Sequence, residues 1–153
     1  MDKGRATWKE NLERDHPELV GILKDQRLAL AKMHFDRAEA FERSGDFLAA
    51  RRSFTGAVES ITQYDTLTNG SVAGAVSLFK RAYQEFALQR DPLFKQYLAA
   101  LLPIIKANPG ILQTELYGKT SLEKSDVSYC LYFADVGGIV NREKKGRTYQ
   151  LTA

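Results

Sequence analysis

The sequence predicts a mainly α-helical chain in two parts, a helical hairpin or bundle over residues 1–91 and then three helices with a two-stranded β-hairpin over 92–153. Three observations carry this. Through much of the first ninety positions apolar residues recur every three or four residues, the period of a helix that buries one face. Asp91-Pro92 closes one such run and opens the next, which makes position 91 the natural boundary. Toward the C-terminus, Ile139 to Arg142 and Arg147 to Leu151 read as two strands around Glu143-Lys144-Lys145-Gly146, with Gly146 permitting a tight turn.

Trp8 and Leu12, with Ala6, make a short amphipathic start. Asp15-His16-Pro17 breaks it, because proline is tolerated in the first turn of a helix and not inside one. Leu19, Ile22, Leu23, Leu28, Ala31, Phe35, Ala38 and Phe41 then mark one face of a long helix. At Ser44-Gly45-Asp46 the glycine supplies a left-handed residue that stops this helix, and Asp46 can accept from the free N–H groups that open the next. Thr68-Asn69-Gly70 ends the resulting hairpin. Ser71 can cap a further helix whose stripe is Val72, Ala75, Val76, Phe79, Ala82, Tyr83 and Phe86. No low-complexity linker separates the two parts, so they are expected to pack or to share a rigid joint.

In the second part, the helix from Pro92 carries Leu93, Tyr97, Leu98, Leu101, Leu102 and Ile105 on one side. Pro103 lies within it and predicts a kink or an early end, since proline removes a hydrogen bond to the carbonyl four residues back. Asn108-Pro109-Gly110 is a strong stop. Ile111 to Tyr117 reads as a short second helix, Gly118 opens a turn, and Thr120 or Ser121 can cap a third helix at about 123–136. On that third helix Val127, Leu131 and Ala134 share an anchoring face. Lys124, Ser125, Ser128, Tyr129 and Tyr132 fall elsewhere, where hydroxyls and phenols are free to meet base edges.

A chain of 153 residues, 44% hydrophobic and 27% charged, buries one sizeable core or two small ones. Residues 1–16 mix charges of both signs and lack the apolar run of a secretory signal. The longest apolar stretch, Tyr97 to Ile105, is about half of what a bilayer needs, so no membrane span is expected. A single cysteine, Cys130, excludes an internal disulfide and fits a reducing cytoplasm, the expected location. The net charge of +3 is placed unevenly: residues 1–91 carry 14 basic and 14 acidic side chains, and 92–153 carry 8 and 5. Arg142, Lys144, Lys145 and Arg147 against Glu143 concentrate that excess on the terminal hairpin, where it would attract phosphates.

Ala38, Phe41, Gly45-Asp46, Ala50, Phe54 and Ala57 make the first hairpin resemble a tetratricopeptide repeat over about 30 residues. One repeat lacks the stacked groove in which that family binds peptides, and small residues where two helices cross closely explain the same pattern. Asp126-Val127-Ser128, Leu131, Gly138-Ile139-Val140-Asn141-Arg142 and Gly146-Arg147-Thr148-Tyr149-Gln150-Leu151-Thr152 together resemble the winged helix-turn-helix regulators of bacteria and archaea, including the multiple-antibiotic-resistance type. The resemblance spans residues 93–152. It implies a winged helix over 92–153 whose third helix reads the major groove of double-stranded DNA. Ser128, Tyr129 and Tyr132 would then be groove contacts, joined by Lys124 and Ser125 on the same helix, and Arg142, Lys144, Lys145 and Arg147 would be phosphate or minor-groove contacts.

The expected function is therefore sequence-dependent DNA binding in transcriptional regulation, with residues 1–91 as a dimerisation or partner-binding region that forms a homodimer. Glu123, Asp126 and Asp135 on the third helix, and its lack of the arginines that usually read guanine, leave a protein-binding adaptor open. A replication or partition factor would share the DNA surface and differ only in biological role. His16 and His34 match no metal spacing with each other or with Cys130. Gly70-Ser71-Val72-Ala73-Gly74 lacks the lysine and the preceding strand of a phosphate loop. Neither enzyme activity nor a cofactor is expected.

Overall fold

The structure, a computed structural model, describes residues 7–153. It is mainly helical with one small antiparallel sheet, and the chain divides into two compact units between Tyr83 and Gln84. Ala6, expected on the apolar side of the first helix, lies outside the described residues.

In the first unit, α1 (Trp8–Asp15) opens on a capping box in which the Thr7 hydroxyl and the Glu10 carboxylate each accept the other's backbone N–H. α2 (Pro17–Ser44) ends at Gly45, whose φ of 82° suits glycine alone, and α3 (Phe47–Leu67) starts with the Asp46 carboxylate accepting from the Ala49 N–H at 3.2 Å. The two helices pack as an antiparallel pair because small side chains line the seam: Ala31, Ala38, Ala50 and Ala57 are buried. At Gly56 the approach is close enough for the His34 imidazole to lie against the α3 backbone, 2.9 Å from where a Cβ would stand. α4 (Ala73–Glu85) closes the unit with aromatic contacts. Tyr83 stacks on Phe54 at 5.4 Å between ring centres, and Phe79 lies 4.7 Å from Phe35. Between α3 and α4, Asn69 and Gly70 both take positive φ, so the Asn-Gly turn forms as expected. Ser71 does not act as the cap; its hydroxyl pairs with Thr68, and the Asp65 carboxylate accepts the Val72 N–H.

The second unit takes in the last residues of α4, which gives way to one π-helical turn, Phe86–Arg90, closed by the Asp91 N–H on the Phe86 carbonyl. α5 (Pro92–Ala107) is followed by β1 (Ile111–Leu112), α6 (Gln113–Leu116), a 3-10 turn at Tyr117–Lys119, α7 (Lys124–Val136), β2 (Asn141–Lys145) and β3 (Thr148–Thr152). β3 lies in the middle of the sheet, with β1 and β2 antiparallel on either side. The core is Phe94, Leu101, Ile105, Leu116, Val127, Cys130, Leu131, Ala134 and Leu151.

Pro103, where a kink or an early end was expected, does not end α5, which runs on to Ala107 with Leu101 and Ile105 on either side of it fully buried. Three expectations for this unit need correction. Ile111 and Leu112 are strand rather than helix, drawn into register with Leu151 and Gln150. Neither Thr120 nor Ser121 caps α7; Glu123 occupies that position without a side-chain bond, and the Thr120 hydroxyl accepts from Leu122 instead. The first hairpin strand starts at Asn141, not Ile139. The N–H groups of Ile139 and Val140 turn back to the Ala134 carbonyl and Gly138 takes φ 73°, the signature of a Schellman stop.

Candidate nucleic-acid interface

α7 buries Val127, Leu131 and Ala134, as their spacing predicts, and Tyr129, Cys130 and Phe133 with them. Tyr129 was expected on the open face. It is 8% exposed, its hydroxyl donates to Asp91 Oδ2 at 2.7 Å, and its ring meets the edges of Phe94 and Phe133, so packing and a buried carboxylate claim it. Ser128 is half-buried, with its hydroxyl 3.1 Å from that of Tyr117. Lys124 and Ser125 are exposed at the start of the helix, the Lys124 ammonium resting 5.6 Å from the centre of the Tyr117 ring. Tyr132 is 53% exposed and braced edge-on against Phe133. Of the contacts expected on α7, Lys124, Ser125 and Tyr132 are exposed, and Asp135 and Val136 are exposed beside them.

β2 and β3 are joined by the two residues Gly146-Arg147, since Lys145 pairs with Thr148. Only the first of them has positive φ, the requirement of a type II′ turn. Lys144 and Lys145 therefore stand in the strand and not at the tip, and the pleat sends them to opposite faces. Lys144 pairs with Tyr149, on the same face as Arg142 and the buried Leu151; Lys145 shares the other face with Glu143, its ion-pair partner at 3.8 Å. That pair is exposed at both ends and contributes little to stability. Arg147 is exposed in the turn.

Arg142 differs from the other three cations because the protein itself holds it. Its guanidinium lies 3.6 Å from the centre of the Tyr149 ring, its Nε donates to Gln113 Oε1 at 3.2 Å, and its backbone N–H donates to Asp135 Oδ1 at 3.2 Å. Gln113 is 5% exposed and completes a bridge: its Nε2 donates to the Tyr117 hydroxyl at 2.8 Å and to the Ser128 hydroxyl at 3.4 Å. Through Gln113, the middle of α7 and the start of β2 share one hydrogen-bonded network. Gln113 belongs to no motif in the sequence. Its one signal is spacing, since Gln113 stands three residues before the buried Leu116 and so on the core side of α6.

Cys130 has no exposed surface, and burial pushes its thiol up to about 12, well above the range of a reactive thiolate. His34 packs on Gly56. No group of three or more His, Cys, Asp or Glu side chains among the described residues is placed to hold a metal ion, and no helix among them is long and apolar enough to cross a membrane. Compared with known proteins, the chain matches no family model, no curated protein and no solved structure.

Proposed function

We propose that the second unit is a winged helix that binds double-stranded DNA, with α7 toward the major groove and the β2–β3 hairpin on the neighbouring phosphates, in the service of transcriptional regulation. The observation that carries this reading is the link from α7 to the hairpin, Ser128 to Gln113 to Arg142, between two elements that each carry exposed contact candidates: Lys124, Ser125 and Tyr132 on α7, and Lys144, Lys145 and Arg147 on the hairpin. A hydroxyl, a phenol and an ammonium can each meet base edges, and lysines supply the charge that displaces counterions from DNA. Tyr129 drops out of the contact set, and Ser128 and Arg142 contribute chiefly through the positions they hold.

Dimerisation through the first unit belongs to the same proposal, because one hairpin neutralises too few phosphates for useful specificity. Trp8, Leu19, Ile22, Leu48 and Leu78 are large apolar side chains exposed there. A fluorescence anisotropy titration of the full chain with duplex at two salt concentrations tests the reading. Affinity should fall steeply with salt, and Lys144→Ala with Lys145→Ala should weaken it across all sequences. Absence of binding at low salt, or indifference to the double substitution, rejects it.

A second reading, a protein-binding adaptor, is favoured by the exposed apolar run Tyr132, Val136 and Ile139 at the far end of α7. It predicts stable capture of a protein partner that Tyr132→Ala releases, with no retardation of any duplex.

A further inference from the structure

Gln113 stands where three elements meet, on the first residue of α6 with its side-chain amide between α7 and β2. The donors around it leave one orientation. Arg142 Nε can only donate, so Gln113 Oε1 must face it; Nε2 then points to the Tyr117 and Ser128 hydroxyls, which accept. The far side of Arg142 is closed by the Tyr149 ring, and its backbone is tied to Asp135 in the last turn of α7. Arg142 Nη1 and Nη2 have no partner among the described residues, so the guanidinium is gripped at its stem and along its face while its end stays open. A long side chain held in this way loses its rotamer freedom before any ligand arrives.

We infer that Gln113 is a positioning residue that locks the hairpin to α7 through Arg142, so that the two surfaces are presented to one ligand in a single geometry. The inference rests on the DNA-binding reading for its consequence, though not for the geometry. A buried amide that serves an arginine on one side and two hydroxyls on the other cannot be replaced by an apolar residue of equal size without taking a partner from the Arg142 Nε–H and from both hydroxyls. Glutamate can replace it: a carboxylate accepts from Arg142 Nε, and the two hydroxyls reverse to donate.

The test uses the full chain and two readouts. In wild type the Arg142 Nε–H should exchange slowly with water in an NMR exchange measurement. Gln113→Leu should abolish that protection and weaken duplex affinity about tenfold, the size of a mid-range coupling between contacting residues, at an unchanged salt slope, because no cation has been removed. Gln113→Glu should restore both. Arg142→Lys keeps the charge and lacks the planar fork, and should lose the same affinity; combined with Gln113→Leu it should cost no more than either alone. Fast exchange at Arg142 in wild type, protection that survives Gln113→Leu, additive losses, or wild-type binding by Arg142→Lys would each overturn the inference. Failure of the wild-type chain to bind duplex rejects the functional reading instead, and the exchange measurement then decides the inference alone.

Discussion

Asp91 has no exposed surface, yet both of its carboxylate oxygens are served: Oδ1 accepts from the Leu93 N–H at 2.9 Å, capping α5, and Oδ2 accepts from the Tyr129 hydroxyl at 2.7 Å. The free N–H groups at the start of α5 add a favourable field for the negative charge. Tyr129→Phe removes the phenol and strands Oδ2 in the interior, so a loss of about 1–3 kcal/mol is expected in urea denaturation, without any change in helix content of the folded state. If Tyr129 were a surface contact, the same substitution would leave the unfolding midpoint where it is. Cys130, its neighbour, gives a pH prediction. The unfolded thiol ionises near 9 and the folded one near 12, so between those values the unfolded chain holds fewer protons and stability falls as pH rises, by about 1.4 kcal/mol per pH unit. Below pH 9 this contribution is fully present. Cys130→Ala costs stability at pH 8 by opening a small cavity, and its deficit against wild type should narrow by pH 10.5; a constant deficit would contradict the assignment.

At the scale of elements, the α2–α3 pair was legible because its determinants are local. Helical period, Gly45 and Asp46 all act within a few residues of where they stand, and each does what its chemistry dictates. β1 was illegible for the opposite reason. Ile111 and Leu112 suit a helix as well as a strand, and what makes them strand is β3, nearly forty residues away. Gly56 shows the same limit on a smaller scale, for nothing near it in sequence announces the His34 ring against its backbone. Gly56→Ala should therefore lower the melting temperature, the clash of about 1–3 kcal/mol outweighing a gain of about 1 kcal/mol in helix propensity. In a His34→Ala background the clash disappears and the same substitution should raise the melting temperature; calorimetry of the four proteins distinguishes the two signs.

At the scale of the whole molecule, the distribution of charge was plain from the sequence, and its geometry was not. Four cations close together in the chain read as one basic tip, but the pleat and the two-residue turn divide them between two faces, and Gln113 and Tyr149 withdraw Arg142 from the free set. The salt dependence of duplex binding should reflect this. On the DNA-binding proposal each lysine that meets a phosphate contributes about one unit of slope, so with Lys144 and Lys145 on opposite faces Lys144→Ala with Lys145→Ala should reduce it by about 1, whereas substitutions at Gln113 should leave it unchanged. The amino-acid order by itself determined the helices of the first unit, the stop at Asn108-Pro109-Gly110, the terminal hairpin and the concentration of positive charge upon it, because period, capping and turn chemistry depend on near neighbours. Only the tertiary structure decided that Tyr129 faces inward to Asp91, that β1 exists, and that a single buried amide ties hairpin to helix. Each of those depends on which distant group arrives opposite a side chain, and a linear pattern carries no record of that arrival.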